Sequence, residues 1–453
     1  MSQTFERKLY EKLVSWKEEN SGASALLLDG PHAMGKSFIV EAFARENYRS
    51  VMFIDFAQVS SYIKNLFLNF RDDPVTLLNK LAKHYKIAIY PRETLLVLDS
   101  IQTFPAAREA INKLCSDRRC DIIELGAGVS VRENIKDINL PSAEIAFRLF
   151  PMDFEEFCIA LGEGALASKI RERFQARKPL SAAKHSRAMR LFKTYLIVGG
   201  MPGAVTAFAN NAAAAYTEAL SAAASVKHEI AASLKKDIDS IPAKYKARVA
   251  SLYEQLPLFL SQSDKHVRFR HIVKGTYAYQ YEDTFNWLSD SGLAYICRRT
   301  ENPKLGLYSL NESDSFVKAY MSDTGLLADA VLKTSANSFI EDEHSPLDDI
   351  LYENAAAAAL STNGHKLFYY SRYNDMKHRN DIDIDFLITD GTGSRAKIIP
   401  IEIKCGKRYS SRTLPKFIEL YHSNISESFV VCKKNLKIKD SITYIPPYML
   451  FCI

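Results

Sequence analysis

The chain has 453 residues, with 59 Lys and Arg against 53 Asp and Glu and a formal net charge of +6. At roughly 100–200 residues per domain, this length predicts two to four domains. Hydrophobic residues make up 47% and charged residues 25%, values that exclude disordered and fibrous proteins. The small positive charge permits a local nucleic-acid surface without requiring one.

Cysteine usage and the N-terminus predict a cytoplasmic protein. Seven scattered cysteines without a CxxC pair argue against a disulfide framework or a zinc site, so buried free thiols are expected. Residues 1–22 predict an amphipathic helix with Phe5, Leu9, Leu13 and Trp16 on one face, not a signal peptide. No apolar run approaches the ~18–20 residues that cross a bilayer, so no membrane partner is expected.

Apolar strands alternate with helices over residues 1–152. Strands are predicted at Ala25–Asp29, Val51–Phe56, Thr94–Asp99, Asp121–Leu125 and Ala146–Phe150. Helices such as Phe38–Asn47 and Pro74–His84 lie between them. This alternation predicts a parallel, doubly wound sheet that is covered on both faces.

The rest of the chain divides by composition into three more segments. Residues 153–240 are rich in Ala, Leu, Lys and Glu and predict a helical bundle. Residues 241–340 are helical with two short strands, Gly292–Cys297 and Leu307–Leu310, a pattern that suits a winged helix. Residues 341–453 predict a smaller α/β unit, with a helix at Asp348–Asn363 and strands at Lys366–Tyr370, Ile382–Ile388, Lys397–Ile403 and Phe429–Cys432.

The sharpest motif is GPHAMGKS, which fits G-x-x-x-x-G-K-[ST] between a strand and a helix. Successive backbone N–H groups and the helix N-terminus would surround the β-phosphate of a nucleotide. Lys36 would bridge the β- and γ-phosphates, and the Ser37 hydroxyl would ligate Mg²⁺. The motif therefore predicts binding of ATP and Mg²⁺ by Gly30, Pro31, His32, Ala33, Met34, Gly35, Lys36, Ser37 and Phe38.

The segment TLLVLDSIQ predicts the other half of this site. Asp99 ends a buried strand and would hold the Mg²⁺ ion. Ser100 follows it where hydrolytic P-loop ATPases usually carry a glutamate, and a serine cannot act as the base that activates water. Glu124 ends the strand DIIEL, which we expect between the Gly30 and Asp99 strands, so it is a candidate catalytic replacement. The alternative is a solvated carboxylate at a strand end.

A second group of chemical residues lies near the C-terminus. Glu402 and Lys404 are two apart on a predicted strand and share a face. With Asp385 on the adjacent strand, they are the minimum catalytic set of a Mg²⁺-dependent phosphodiesterase. The alternative is a docking module in which Glu402 and Lys404 form an internal ion pair.

Two basic groups are candidate DNA contacts, or ordinary solvated surface. One flanks the C-terminal carboxylates and comprises Lys377, His378, Arg379, Lys407, Arg408 and Arg412. The other comprises Lys265, Arg268, Arg270, His271 and Lys274. Behind the second group, Tyr277, Tyr279 and Tyr281 alternate, and we interpret them as packing residues.

Several longer phrases carry a family resemblance. They are LFPMDFEEF (149–157), YLIVGGMPGAV (195–205), WLSDSGLAY (287–295), KAYMSDTGLL (318–327), YEN (352–354), IDFLI and PIEIKCGK (400–407). With the P-loop, they resemble prokaryotic AAA-type ATPases fused to a C-terminal domain of unknown function, often described as restriction-endonuclease-like. The resemblance implies an α/β multi-domain fold: a P-loop core at 1–152, a helical lid at 153–240, a winged helix at 241–340 and a PD-(D/E)XK domain at 341–453. It also implies metal ligation by Glu353, Asp385 and Glu402.

Two departures from the family pattern bear on hydrolysis. Asp99-Ser100 replaces the usual Asp-Glu, and Gly126-Ala127 replaces the usual Gly-Ser of the sensor position. We therefore expect an ATP-binding protein with slow hydrolysis, whose nucleotide state gates a nuclease-like domain that engages DNA. The alternative is a non-hydrolysing, nucleotide-stabilised scaffold whose C-terminal domain binds a protein partner without cleavage. A homo-oligomer is compatible with either hypothesis. A hexameric motor is a third hypothesis, with Arg132 and Arg148 as arginine-finger candidates.

Overall fold

The computed structural model describes residues 7–129, 135–212, 215–239, 241–272, 277–303, 312–332, 336–342, 345–374, 376, 379–391, 396–406 and 412–453. These residues form two compact units. The first runs up to Phe150 and includes Asp290–Gly292, and the second comprises Pro151–Ser289 and Leu293–Ile453.

The first unit is built on a parallel sheet. Its strands are β1 (Ala25–Asp29), β2 (Ser50–Asp55), β3 (Thr94–Asp99), β4 (Asp121–Gly126) and β5 (Glu144–Arg148). Its helices are α1 (Lys8–Asn20), α2 (Lys36–Asn47), α3 (Ser61–Asn69), α4 (Pro74–Tyr85) and α5 (Ile111–Asp117), with 3-10 turns at Ile101–Thr103 and Pro105–Ala110. The strand order is β2-β3-β4-β1-β5, and every pairing is parallel. This confirms the predicted sheet and the expected position of β4 between β1 and β3.

The central strands of this sheet are buried on both faces. All five residues of β1 are buried, as are the first five of β3, so these strands are continuous apolar runs. Leu27, Leu98 and Ile122 point to one face, where they pack in a core with α3, α4 and α5. Because side chains alternate along a strand, the residue after Leu98, which is Asp99, points to the opposite face. That face carries α2, since Ser37 on α2 contacts Asp99.

The second unit contains most of the helices. They are α6 (Phe154–Ala160), α7 (Gly164–Gln175), α8 (Ala182–Val198), α9 (Pro202–Ala212), α10 (Tyr216–Asp239), α11 (Ala243–Leu260), α12 (Phe269–Ile272), α13 (Glu282–Asp290), α14 (Thr324–Val331), α15 (Ala336–Glu341), α16 (Asp348–Thr362) and α17 (Thr413–Tyr421). The boundary of α6 is set by a capping box: Asp153 accepts from the Glu156 N–H, and the Glu156 carboxylate accepts from the Asp153 N–H.

A mixed sheet organises the C-terminal half of this unit. Its strands are β6 (Ala294–Thr300), β7 (Glu312–Met321), β8 (Leu367–Asn374), β9 (Arg379–Asp390), β10 (Lys397–Ile403), β11 (Phe429–Val431), β12 (Lys437–Lys439) and β13 (Ile442–Ile445). They are ordered β12-β13-β11-β10-β9-β8-β6-β7. The α/β character of this half is as predicted, whereas a restriction-endonuclease-like fold is not confirmed.

The strand pair that we predicted as a wing belongs to this sheet. β6 pairs antiparallel with β7 and parallel with β8. The predicted second wing strand, Leu307–Leu310, lies outside the described residues. The winged helix is therefore not confirmed, because hydrogen bonds join β6 directly to the C-terminal strands.

Three sequence-based expectations concern membrane helices, the cysteines and the N-terminal helix. Among the described residues, no helix is long and apolar enough to cross a membrane. All seven cysteines lie in the described part of the chain, where they are free thiols, and only Cys452 is not buried. Phe5 lies outside the described residues, whereas Leu9, Leu13 and Trp16 share the buried face of α1 as predicted.

Candidate functional site

The loop between β1 and α2 wraps around its own lysine. Ala33 and Gly35 adopt positive φ angles of 63° and 78°, which turn the chain before the first residue of α2. The Lys36 ammonium donates hydrogen bonds to the carbonyl oxygens of Gly30 at 2.7 Å and Pro31 at 2.8 Å. A Cβ on Gly30 would lie 2.9 Å from the Leu149 carbonyl oxygen, so no side chain fits there. The glycines thus let the loop close around a buried cation.

The hydroxyl and carboxylate predicted to hold Mg²⁺ are in contact. Ser37 Oγ donates to Asp99 Oδ2 at 2.9 Å, and the Ser100 N–H donates to Asp99 Oδ1 at 2.6 Å. Mg²⁺ prefers such oxygen ligands, supplied by one or two side chains together with phosphate oxygens and water. A helix N-terminus, a lysine and a Ser–Asp oxygen pair therefore fit a nucleotide and Mg²⁺.

The position after Asp99 offers no carboxylate. Ser100 has a positive φ of 54° and begins a 3-10 turn. Within this turn, Gln102 reaches the end of β4, where its Oε1 accepts a hydrogen bond from the Ala127 N–H at 3.3 Å. A Cβ on Gly126 would lie 2.6 Å from the same Gln102 oxygen. The glutamine amide therefore occupies the region that the sequence identified as the sensor position.

Glu124 lies on the face of the sheet opposite Asp99. Its register partners, Leu27 and Leu98, belong to the core with α3, α4 and α5. The carboxylate is 0% exposed and lies 3.6 Å from Arg108 Nε. Arg108 Nη2 in turn donates to both carboxylate oxygens of Glu144, at 2.8 and 3.0 Å.

Burial, together with the neighbouring Glu144 carboxylate, raises the pKa of Glu124 well above its ordinary value. The solvated alternative is wrong, because the side chain is fully buried. A water-activating role, which stays a prediction, is not favoured by a location on the other face from Asp99.

The arginine-finger candidates have different outcomes. Arg132 lies outside the described residues. Arg148 ends β5, and its guanidinium donates to the carbonyl oxygen of Asp290. Its role in a motor stays a prediction.

Glu353, in the C-terminal part of the chain, is in direct contact with two lysines and a tyrosine. Its Oε2 accepts from Lys265 Nζ, and its Oε1 accepts from Tyr320 Oη at 2.6 Å and from Lys318 Nζ at 3.4 Å. Burial alone would raise the pKa of Glu353, but Lys265 and Lys318 lower it to about 2. Glu353 is therefore an ionised carboxylate with both oxygens engaged.

Asp385 and Glu402 are also held by the protein. Asp385 Oδ2 accepts from the Ile403 N–H at 2.7 Å and lies 3.7 Å from Lys404 Nζ. Glu402 is 0% exposed, and its Oε1 accepts from the Thr413 hydroxyl at the start of α17. Asp385 is the main cause of the raised pKa of Lys404. The structure thus brings Asp385 and Lys404 together as expected, while Glu402 turns to Thr413.

The described side chains are not arranged as a Mg²⁺ site. Across the part of the chain that the structure describes, no three His, Cys, Asp or Glu side chains are grouped so as to hold a metal ion. The predicted ligands Glu353, Asp385 and Glu402 instead accept hydrogen bonds from lysine, tyrosine, threonine or backbone donors. The arrangement does not fit the metal that the family resemblance implies.

The basic groups are only partly visible in the structure. Arg412 is exposed, whereas Lys377, His378, Lys407, Arg408 and Lys274 lie outside the described residues, as do the side chains of Arg379, Arg270 and His271. Arg268 pairs with Asp264 at 3.3 Å. DNA contact by either group stays a prediction.

The alternating tyrosines have two different environments. Tyr281 is fully buried, which agrees with the packing interpretation. Tyr277 and Tyr279 are 62% and 69% exposed and stack with ring centroids 6.2 Å apart. The packing interpretation is therefore wrong for the exposed pair.

The resemblance phrases of the second unit meet at one glycine pair. The Met152 N–H donates to the Gly200 carbonyl at 2.7 Å, and Asp323 Oδ2 accepts from the Gly200 N–H at 2.6 Å. A Cβ on Gly199 would lie 2.3 Å from Asp323 Oδ1, so only glycine fits beside the carboxylate. Asn354 completes the group by exchanging hydrogen bonds with the backbone of Met321 at 2.9 and 3.1 Å.

Three family matches cover most of the chain. Residues 23–158 match the AAA domain, residues 189–338 match a domain of unknown function (DUF8612), and residues 349–450 match another domain of unknown function (DUF4143). The first match contains the loop, Lys36, Ser37 and Asp99 described above. The match places an AAA-type domain with a P-loop in the first unit. No curated protein matches the chain.

Solved structures similar to this chain include the following three. A Walker-type ATPase of Pyrococcus abyssi is 16% identical, with a TM-score of 0.42, over 72% of this chain and 95% of that one. PCH-2 of C. elegans is 14% identical, with a TM-score of 0.24, over 51% and 66%. The Drosophila ORC bound to DNA is 11% identical, with a TM-score of 0.25, over 71% and 94%.

The main residues that sequence reasoning missed are partners of buried charges. In the AAA-type domain these are Arg108 and Glu144. Gln102, which accepts from the Ala127 N–H, was missed as well. In the second unit they are Lys318 and Tyr320, whose spacing of two on β7 places them on one face toward Glu353. A charged residue between apolar strand positions indicates a buried charge that needs a partner. It does not identify that partner, because the partner is distant in sequence.

Proposed function

We propose that this chain is an ATP-binding switch of the AAA type that turns nucleotide over slowly or not at all. The observation that carries the proposal is the P-loop arrangement: Lys36 lies across its own loop, and Ser37 contacts Asp99. Lys36 would bind phosphate oxygens, and Ser37 with Asp99 would hold Mg²⁺, which supplies neutralisation of phosphate charge. Ser100 supports slow turnover, because a positioned general base typically contributes 10²–10⁴-fold in rate.

In this proposal, nucleotide in the AAA-type domain biases the rest of the chain. Residues 153–240 act as a lid, and the nucleotide state is passed on to residues 241–340 and 341–453. The C-terminal domain then engages a partner without cleaving it. The engaged oxygens of Glu353, Asp385 and Glu402 favour this scaffold over a nuclease, and a protein is the proposed partner.

ATP binding and turnover with Mg²⁺ test the first part. With ATP at about 100 times its Kd, binding should add about 2.7 kcal/mol to the free energy of unfolding of the AAA-type domain. The signal can be read from Trp16 on α1 in a Trp287→Phe variant. Lys36→Ala should abolish the shift, whereas Lys83→Ala, on the exposed face of α4, should preserve it. Stabilisation that survives in Lys36→Ala would contradict the site.

Turnover distinguishes a switch from a motor. We expect phosphate release close to that of Lys36→Ala. A rate clearly above this control would contradict slow hydrolysis and would support the hexameric motor instead.

DNA cleavage tests the second part. With Mg²⁺ and plasmid or linear DNA, we expect no cleavage by the parent chain and no change in Glu402→Ala. Cleavage that Glu402→Ala removes would refute the scaffold and support the nuclease, with DNA as its partner.

A further inference from the structure

Glu353 lies within the C-terminal family match, residues 349–450, whereas the two lysines that pair with it, Lys265 and Lys318, precede that match. Lys318 and Tyr320 project from β7, the edge strand of the mixed sheet. Lys265 lies in the turn after α11, where its φ is +52°. Both ammoniums are well shielded from solvent: the Lys318 side chain is 7% exposed and the Lys265 side chain 14%.

The turn that carries Lys265 is fastened to β7. His266 forms a β-bridge with Lys318, and the Val267 N–H donates to the Val317 carbonyl at 2.8 Å. His266 Nε2 and Tyr369 Oη are 2.9 Å apart, which ties the same turn to β8. The backbone at Lys265 is therefore held in place by the strand-like pairing of the next two residues with β7.

Much of the charge in this cluster is compensated by the chain's own side chains. Four carboxylates interact electrostatically here, those of Glu353, Asp383, Asp385 and Glu402. They face the ammoniums of Lys265, Lys318 and Lys404. A divalent cation placed among them would meet three like charges and would have to displace hydrogen bonds from both Glu353 oxygens.

We propose that Lys265 and Lys318 take the place of a divalent cation at Glu353, so that the C-terminal domain excludes Mg²⁺ and Mn²⁺. This inference deepens the proposed function, since it gives a physical reason for a domain that binds without cleaving. It differs from a simple loss of acidic residues, because the carboxylates are present and the cations that hold them are specific side chains. Removal of those cations should therefore restore metal affinity.

Mn²⁺ uptake, followed by electron paramagnetic resonance of the free ion, tests the proposal on the full chain. Nucleotide is left out, and a Lys36→Ala background prevents residual nucleotide from bringing Mn²⁺ to Ser37 and Asp99. We expect little uptake by this parent, and an affinity at least tenfold higher when Lys265→Met and Lys318→Met are added together. Adding Glu353→Gln should remove the gain, and Lys439→Met, on the exposed edge strand β12, should produce none.

Two results would overturn the proposal. One is Mn²⁺ uptake by the parent that Glu353→Gln abolishes, since the carboxylates would then bind metal despite the lysines. The other is no uptake by the folded double-lysine variant, since the lysines would then not be what excludes the metal. ATP binding is measured separately in chains that retain Lys36, so failure here leaves nucleotide binding untouched, and the reverse holds too.

A second measurement applies if the double-lysine variant does not fold. Lys265→Met alone leaves Glu353 with less compensation, so its urea midpoint should fall, as read from Trp287 in a Trp16→Phe background. Lys265→Met with Glu353→Gln removes both charges and should recover most of that loss. A midpoint that stays low in the pair would refute charge compensation between the two residues.

Discussion

Loss of the Asp323 carboxylate should destabilise the second unit by about 2–4 kcal/mol. Asp323 is the N-cap of α14, where Oδ1 accepts from the Leu326 N–H at 2.9 Å, and loss of such a cap typically costs 0.5–2 kcal/mol. Its Oδ2 accepts from the Gly200 N–H at 2.6 Å. In Asp323→Ala that buried donor has no carboxylate to meet, which costs about 1–3 kcal/mol more. Burial raises the pKa of Asp323, which means that the buried charge is itself unfavourable. Its removal offsets part of the two losses, so the expected destabilisation is smaller than the sum of their upper limits.

The two tryptophans allow this change to be measured in the correct unit. Trp287 belongs to the second unit and Trp16 to the first, so urea unfolding of Asp323→Ala in a Trp16→Phe background reports on the second unit. With a slope of about 2–3 kcal/mol per M, the midpoint should fall by roughly 1 M. In the complementary Trp287→Phe background, the Trp16 transition should be unchanged.

Gly199 provides the matched test of the same contact. Its φ of +82° predicts that Gly199→Ala destabilises the unit on its own, as does the 2.3 Å that would separate an added Cβ from Asp323 Oδ1. In the double variant the carboxylate is gone, so part of that cost should disappear and the two effects should not add. Additive effects, or a midpoint within 0.3 M (roughly 0.5–1 kcal/mol) of the parent for Asp323→Ala, would refute the reasoning.

Two further predictions concern the AAA-type domain. Because the pKa of Glu124 is raised in the folded state, its contribution to stability is fully present below its ordinary value of 4.5 and declines as pH rises toward the raised value. Glu124→Gln should therefore flatten the pH dependence of the Trp16 transition above about pH 4.5 and leave ATP turnover unchanged; an unaltered pH profile, or lost turnover, would contradict this. Ser100→Glu restores the carboxylate after Asp99 and should raise turnover at least tenfold, toward the 10²–10⁴-fold of a general base, as measured by phosphate release. No increase would mean that the left-handed turn at Ser100 directs the side chain away from the γ-phosphate.

Much of the fold of the first unit was predictable because its signals are local. The strand Ala25–Asp29 and the strand Thr94–Asp99 have the predicted bounds, since each is an apolar run that ends in an aspartate. Other ends differ by one or two residues, as for β5, predicted at Ala146–Phe150 and observed at Glu144–Arg148. The position of β4 followed from the doubly wound topology.

The second sheet was harder to predict because its pairings are distant in sequence. The helix predicted at Asp348–Asn363 is observed as Asp348–Thr362, and the strand Lys397–Ile403 has the predicted bounds. The parallel pairing of β6 with β8, however, joins Cys297 to Leu367. No pattern within either strand specifies this neighbour, so the strand pair was interpreted as a separate wing.

The candidate sites show the same division between local and distant signals. Contact between Ser37 and Asp99 could be predicted, because a motif and a strand end define both positions. The partners of Glu124 and Glu353 could not, because a buried carboxylate can be satisfied by any cation that the fold brings near. Only the structure places Arg108 beside one and Lys265 beside the other.

The phrases that carried the resemblance in the second unit have a structural reason to be distinctive. A methyl group on Gly199 would collide with the Asp323 carboxylate, and one on Gly200 would collide with the backbone of Met152. Met152 and Asn354 bond to backbone atoms in the same group. Such contacts constrain residue identity through geometry, so these phrases indicate a fold and no particular chemistry. The chemistry depends on positions where this chain has its own residues: a serine after Asp99, a glutamine at the end of β4, and two lysines on Glu353. The serine, the glutamine and the two lysines together favour a nucleotide-binding scaffold.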